Sequence, residues 1–194
     1  NLTYTMHIGL YFGSFNPIHT GHLIIANHVA QHTDVQQVWL VVSPQNPLKP
    51  AATLLKDYDR LHLVNLAIEG NTALRSSDIE FHLPKPSYTI DTLTYLSEKY
   101  SQHTFSVIMG SDSYMNLRKW KNYEKLLELY PVIVYERLQY PVTVFEGSKT
   151  TIVQAPLLEI SASFIRQQIQ AGKSIQYLTP DQVRTEIERN GWYK

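Results

Sequence analysis

A chain of 194 residues with 43% apolar and 18% charged residues has the size of one domain and the composition of a soluble globular protein, which excludes a disordered or collagen-like polymer. Lys plus Arg and Asp plus Glu number 17 each, so the formal net charge is zero and nothing attracts the whole chain to nucleic acid or to an anionic membrane. The absence of cysteine excludes disulfides, thiolate zinc sites and cysteine nucleophiles.

No stretch approaches the roughly 20 apolar residues of a bilayer-spanning helix. The opening Asn1–Met6 lacks a basic region followed by an apolar run, so a cytoplasmic location is expected. Short β-branched apolar runs alternate with amphipathic stretches, which predicts an α/β fold. The expected form is a Rossmann-like, doubly wound parallel sheet with helices on both faces.

In chain order the sequence predicts a strand over His7–Phe12, a helix over Ile18–Gln31 and a strand over Val38–Val42. A helix over Tyr58–Glu69 follows, with Tyr58, Leu61, Val64 and Ile68 on one inward side. Ile79–Leu83 is a weaker strand candidate, and Ile90–Tyr100 is a helix with Ile90, Leu93, Leu96 and Tyr100 inward. Strands are then expected at Phe105–Met109, Val132–Tyr135 and Thr151–Gln154, and a helix opens near Ser161 and ends at a Gly172 cap. In the closing stretch Thr179 reads as an N-cap, Pro180 as the first helical residue and Gln182 as the partner in a capping box, with Val183 and Ile187 inward. No repeat, low-complexity tract or Ser/Gly linker interrupts the pattern, so residues 1–194 read as a single domain whose last part, from about 160 to 194, is a helical appendage on the sheet.

Ligands of open α/β sheets bind beyond the carboxyl ends of the strands, so the loops after strands are where chemistry is sought. Directly after the first strand comes Gly13-Ser14-Phe15-Asn16-Pro17-Ile18-His19-Thr20-Gly21-His22. A tight Gly/Ser/Asn/Pro turn running into a helix points free N–H groups and the positive helix end at one place, an anion site. His19 and His22, three apart, project toward the same place. Two alternatives remain for them: a metal-binding pair, which would need a third ligand, or ordinary histidines. Gly21 inside a helix costs about 1 kcal/mol relative to Ala, so close approach of a flat ligand or of a neighbouring backbone is expected there.

Gly13–His22 resembles the nucleotidylyltransferase signature, a Gly-x-Phe-x-Pro turn followed by His/Thr-x-Gly-His, which is distantly shared with class I aminoacyl-tRNA synthetases. His7-Ile8-Gly9-Leu10 mimics the synthetase tetrapeptide but lies in the strand and lacks its last His, and no Lys-Met-Ser-Lys-Ser stretch exists. Ile160-Ser161-Ala162-Ser163-Phe164-Ile165-Arg166, by itself an ordinary capped helix start, places two hydroxyls and a guanidinium at a helix N-terminus. It resembles the Ile-Ser-x-Ser/Thr-x-Ile-Arg motif of the same superfamily, which implies contact with the β- and γ-phosphates of ATP. The ATP site implied comprises Gly13, Ser14, Phe15, His19, His22, Ser161, Ser163 and Arg166, with His19, His22, Lys49 and Arg166 as the catalytic candidates.

Pro86-Ser87-Tyr88-Thr89-Ile90-Asp91-Thr92-Leu93, then Met109-Gly110-Ser111-Asp112-Ser113 with Leu117 and Trp120, resemble the bacterial nicotinate mononucleotide adenylyltransferases. The resemblance runs from about Met6 to Trp192-Tyr193. It implies that Tyr88 and Thr89 line a nicotinate pocket, that Gly110 and Asp112 approach the ribose, and that Trp120 stacks on the pyridine ring. From the residues alone, Asp112 has a helix N-cap as its alternative role, Trp120 is more often a core residue than a stacking platform, and Trp39 belongs to the core. In Ser43-Pro44-Gln45-Asn46-Pro47-Leu48-Lys49 the family's usual His is replaced by Leu48, while Lys49 is kept. Arg137, after the Val132–Tyr135 strand, is a further substrate-binding candidate.

The implied partners are ATP and nicotinate mononucleotide, with Mg²⁺ carried by ATP and no metal-binding side chain assigned. Nucleic acid and membrane are not expected as partners, and a homo-oligomer stays open. Rival activities are transfer to nicotinamide mononucleotide or phosphopantetheine, a non-catalytic nucleotide sensor, and a synthetase-like RNA-binding module.

Overall fold

The computed structural model describes residues 4–48 and 52–194. Six strands, β1 His7–Gly13, β2 Gln37–Val42, β3 Leu74–Ser77, β4 Thr104–Gly110, β5 Val132–Tyr135 and β6 Thr150–Val153, form one sheet in the order β3-β2-β1-β4-β5-β6. Every pairing is parallel. The helices are α1 Thr20–His32, α2 Asp57–Ile68, α3 Thr89–Lys99, α4 Ser111–Met115, α5 Tyr123–Leu129, α6 Ala162–Gln170 and α7 Asp181–Asn190.

Period-two alternation along buried strands feeds two cores. Val38, Leu40 and Val42 of β2 face the cluster built with Ile25 and Val29 of α1, Leu63 and Val64 of α2, Ile165 of α6, and Val183 and Ile187 of α7. Trp39 and Val41 face the opposite cluster, which holds Leu93 and Leu96 of α3, Tyr114 of α4 and Leu126 of α5. Both strand faces are thus apolar, which is why these runs stand out in the sequence. Trp39 is a core residue, as expected.

Three local expectations are corrected. The run Ile79–Leu83 is not a strand: Ile79–His82 is a 3₁₀ turn whose Ile79 plugs the second core, and the third strand lies earlier, at Leu74–Ser77. That edge strand buries only Leu74 among Leu-Arg-Ser-Ser, so it carries no apolar signature. On α2 Val64 is buried and Leu61 and Ile68 pack against the first core, as expected, but Tyr58 is 62% exposed and Arg60 and Leu63 are buried instead. Thr179 makes no capping bond: its buried hydroxyl has no partner, and α7 begins after Pro180 without a side-chain cap. Gly172, at φ +69°, does close α6, with Lys173 N donating to Gln168 O at 2.9 Å.

Strand order reverses between β1 and β4, so the crevice of this sheet opens where β1 ends at Gly13 and β4 ends at Gly110.

Candidate active site

The turn after β1 is packed from within. Phe15, buried and at φ +47°, folds its ring back over Gly13, where a Cβ would sit 3.1 Å from the ring. His19 is the N-cap of α1 rather than a residue of its first turn. The His19 ring Nδ1 accepts from His22 N at 3.4 Å, and the His22 ring Nδ1 accepts from His19 N at 3.2 Å. The two imidazoles stack with centroids 3.6 Å apart. Because both Nδ1 atoms receive main-chain protons, each neutral ring carries its own proton on Nε2, and two N–H donors are set in fixed directions. A Cβ on Gly21 would lie 2.9 Å from the His19 ring, so the close approach expected at this glycine is made by that imidazole.

Burial holds both rings neutral: it lowers the His19 pKa to about 4, and it pushes His22 well below its ordinary value with help from the charges of His19 and Arg137. A histidine depressed on folding contributes stability that is complete above its unfolded value of 6.5 and is lost as pH falls through the folded value. We therefore expect thermal stability to drop between pH 6.5 and about 4, by about 3 kcal/mol for His19 alone. A His19→Asn variant should show a shallower decline in that window; parallel melting-temperature curves for the two proteins would contradict it.

These rings face a cleft of about 670 Å³. Tyr11, Gly13, Phe15, His19 and His22 form one wall, Tyr135, Arg137 and the following Leu138–Tyr140 a second, and Leu157–Ala162 a third. Ser161 N-caps α6, accepting from Phe164 N at 3.1 Å. Arg166, one turn further, does not form the wall. Its Nη1 donates to Asn16 O at 2.7 Å and its Nη2 to Ser163 Oγ at 3.2 Å, so it ties the first turn to the second. Ser14 and Ser163 likewise lie outside the wall. The two turns nevertheless meet on one cleft, and two helix N-termini open onto it.

Arg137 N donates to Ser111 Oγ at 2.8 Å, and its side chain lies 3.4 Å from Asp112 and over the Tyr135 ring. Asp112 sits inside α4, whose N-cap is Gly110. Gly110 has a structural reason of its own: a Cβ there would press on the Tyr135 ring at 3.0 Å.

A smaller pocket of about 190 Å³ adjoins the cleft and shares Phe12 with it. Ser43–Asn46, Glu80, Lys85–Ser87 and Thr89 line it. Thr89 is thus in a pocket wall. Tyr88, half-exposed, is the N-cap of α3 and carries Lys121 Nζ 4.9 Å over its ring. Trp120 follows the 3₁₀ turn Leu117–Lys119 and packs partly buried on the second core, lining neither cavity. Lys49 lies outside the described residues.

Sequence analysis misses the buried polar frame beneath these pockets. Asn16 Oδ1 accepts from Leu55 N at 3.1 Å and from Tyr193 Oη at 2.6 Å, and its Nδ2 donates to Thr53 O at 2.8 Å. Glu80, 3% exposed, accepts from Thr92 Oγ1 at 2.7 Å and Ser87 Oγ at 3.2 Å, and burial raises its pKa. Arg60 is fully buried. The only advance signal is a charge embedded in each apolar pattern, Glu80 within Ile79–Leu83 and Arg60 within the α2 stretch.

Comparison with known proteins follows the same lines. The cytidylyltransferase-like family model matches residues 10–168. The chain is 52% identical to a probable nicotinate-nucleotide adenylyltransferase of Flavobacterium psychrophilum, over 97% of this chain and 100% of that protein. It is 50% identical to the probable enzyme of the same name from Cytophaga hutchinsonii, over 97% and 98%. Among solved structures its fold matches Plasmodium falciparum nicotinic acid mononucleotide adenylyltransferase, crystallised with NaAD, at a TM-score of 0.81 and 21% identity over 97% of each chain.

Proposed function

The chain belongs to the cytidylyltransferase-like family, and from that premise we infer that it is a nicotinate-nucleotide adenylyltransferase, joining the adenylyl group of ATP to the 5′-phosphate of nicotinate mononucleotide with release of pyrophosphate. The observation that carries this beyond the family likeness is the meeting of the Gly13–His22 and Ser161–Arg166 turns on one cleft, with a second pocket adjoining it.

In this reaction the acceptor's phosphate oxygen forms a bond to the α-phosphorus as the bond from that phosphorus to the pyrophosphate oxygen breaks. No base is needed, because a phosphate monoester with its second pKa near 6 is mostly dianionic at neutral pH. The protein's task is to align two mutually repelling anions and to stabilise charge on the leaving pyrophosphate. The Nε2–H groups of His19 and His22 and the N-termini of α1 and α6 supply donors to the triphosphate. Gly13, Phe15 and Ser161 line its cradle, whereas Ser14, Ser163 and Arg166, outside the wall, and Lys49 are assigned to phosphate by their place in the motifs. On the acceptor side we assign Thr89 and Tyr88 to the nicotinate pocket, Gly110 and Asp112 to the ribose and Arg137 to phosphate, while Trp120, which lines neither cavity, is assigned to the ring only by its place in the motif. Mg²⁺, which keeps most of its water and needs few protein ligands, would enter with ATP and screen the triphosphate. Among the described residues no group of three His, Asp or Glu is placed to hold an ion.

Residues 1–194 are taken as one catalytic domain, which the sharing of a single sheet by both cores supports. No helix among the described residues is long and apolar enough to cross a membrane, and a cytoplasmic setting is part of this proposal. The deciding experiment supplies ATP and Mg²⁺ with nicotinate mononucleotide, nicotinamide mononucleotide or phosphopantetheine in turn and measures pyrophosphate. The largest kcat/KM is expected with nicotinate mononucleotide. Pyrophosphate released with none of them would leave a nucleotide sensor as the surviving alternative.

A further inference from the structure

One guanidinium lies beneath both pockets. Arg60, on α2, has 0% of its surface exposed. Its Nη1 donates to Ser14 O at 2.6 Å and to Ser43 O at 2.7 Å. Ser14 belongs to the turn after β1, from which the cleft with the paired imidazoles is built. Ser43 belongs to the turn after β2, in the wall of the smaller pocket. Where the two strands end, Ser43 N donates to Gly13 O at 2.9 Å. Beyond that bond the chains diverge around the two cavities, and Arg60 links Ser14 to Ser43 across them, beside the bonds of Asn16 to Thr53 and Leu55.

The remaining nitrogens extend the link. Nε donates to Leu55 O at 2.9 Å and Nη2 to Asp57 Oδ1 at 2.7 Å. The same Asp57 oxygen accepts from Gln45 N at 3.0 Å, so a second residue of the small pocket's wall is tied to the bracket. A buried cation is costly, and one whose acceptors are three main-chain carbonyls and a single carboxylate is not a device for helix packing. Lysine could not replace it, because one ammonium lacks the planar fork that meets acceptors in several directions at once.

We infer that Arg60 is a positioning residue of the transfer reaction: by tying Ser14 to Ser43 it sets the separation between the triphosphate and the attacking phosphate. The inference rests on the adenylyl-transfer reading above. Asn16 also ties the first turn to Thr53 and Leu55 of the loop after β2, but only Arg60 joins that turn to Ser43 in the small pocket's wall, so its loss is expected to alter the pockets' relative placement more than the walls of either. In-line transfer is sensitive to this placement, since a displacement of about 1 Å at the reacting atoms costs about 10²-fold in rate.

The test uses Arg60→Lys and the milder Asp57→Asn, each with its folded fraction determined by calorimetry. For Arg60→Lys we expect kcat per folded molecule to fall about 10²-fold, and for Asp57→Asn about tenfold, while KM for ATP and for the mononucleotide each stay within about threefold. The dinucleotide product spans both pockets, so its affinity should fall about tenfold even where the two separate substrates bind as before. A kcat per folded molecule within about twofold of the parent, or an unchanged product affinity, overturns the role. If Arg60→Lys does not fold, Asp57→Asn decides by the same two readouts. A parent that releases no pyrophosphate with any acceptor sinks the adenylyl-transfer reading instead, and the dinucleotide titration then judges Arg60 by itself.

Discussion

We expect His22→Ala to lower kcat by about 10²-fold or more, the scale of removing one preorganised donor to charge that develops in the transition state. The neutral ring holds its proton on Nε2 because Nδ1 is engaged by His19 N, and burial keeps it neutral through the physiological range. It therefore donates without first having to lose or gain a proton. The loss should fall mainly on kcat, because charge accumulates on the leaving group only as the bond breaks. The two rings also position each other through stacking and reciprocal main-chain bonds. His19→Ala should consequently disturb His22, and the double variant should lose less than the product of the single losses. Steady-state kinetics of the three variants checks both points. Turnover of His22→Ala within about twofold of the parent would remove the residue from the chemistry.

The two turns that meet on the cleft were legible because their information is local. A glycine where a strand ends, a short polar turn and a helix start are contiguous in Gly13–His22, and the second turn likewise occupies one stretch, Ser161–Arg166. Strands β1, β2, β4 and β5 were legible because both faces are buried. β3 was not, since an edge strand of Leu-Arg-Ser-Ser has nothing apolar to show beyond Leu74. On α2, Tyr58 was misplaced and Arg60 was missed for a related reason. Periodicity counts Arg60 as solvent-facing, whereas its charge is satisfied by three carbonyls from two separate loops, after β1 and after β2, that no spacing rule can bring together. Glu80 was hidden in the same way, as its partners Ser87 and Thr92 belong to the next turn and helix. The cavities are visible as motifs, and the frame that spaces them is visible only in three dimensions.

Arg166→Ala is the second large effect expected, about 10²-fold in kcat/KM for ATP, with KM for the mononucleotide little changed. Arg166 has two duties that its geometry separates. One nitrogen reaches Asn16 O in the first turn and the other reaches Ser163 Oγ in its own helix, so the guanidinium fastens the two turns to one another. On the proposed function, its charge also stands between the two turns assigned to the triphosphate. Arg166→Lys keeps the charge but replaces a planar fork by a single ammonium, which cannot hold both acceptors in the same geometry. If the charge alone mattered, the lysine variant would recover nearly all of the lost kcat/KM. If the bracing matters, it should recover less than about tenfold of it. Asn16 sharpens the distinction, because its side chain is anchored independently by Thr53, Leu55 and Tyr193, so the first turn is expected to keep its shape in Arg166→Ala. A fall in activity would then come from the relation of the turns to one another and to the nucleotide, and a melting temperature near that of the parent would accompany it. Full activity in Arg166→Ala would show that the two turns need no such tie, and the triphosphate would have to be held by the imidazoles and the helix N-termini alone.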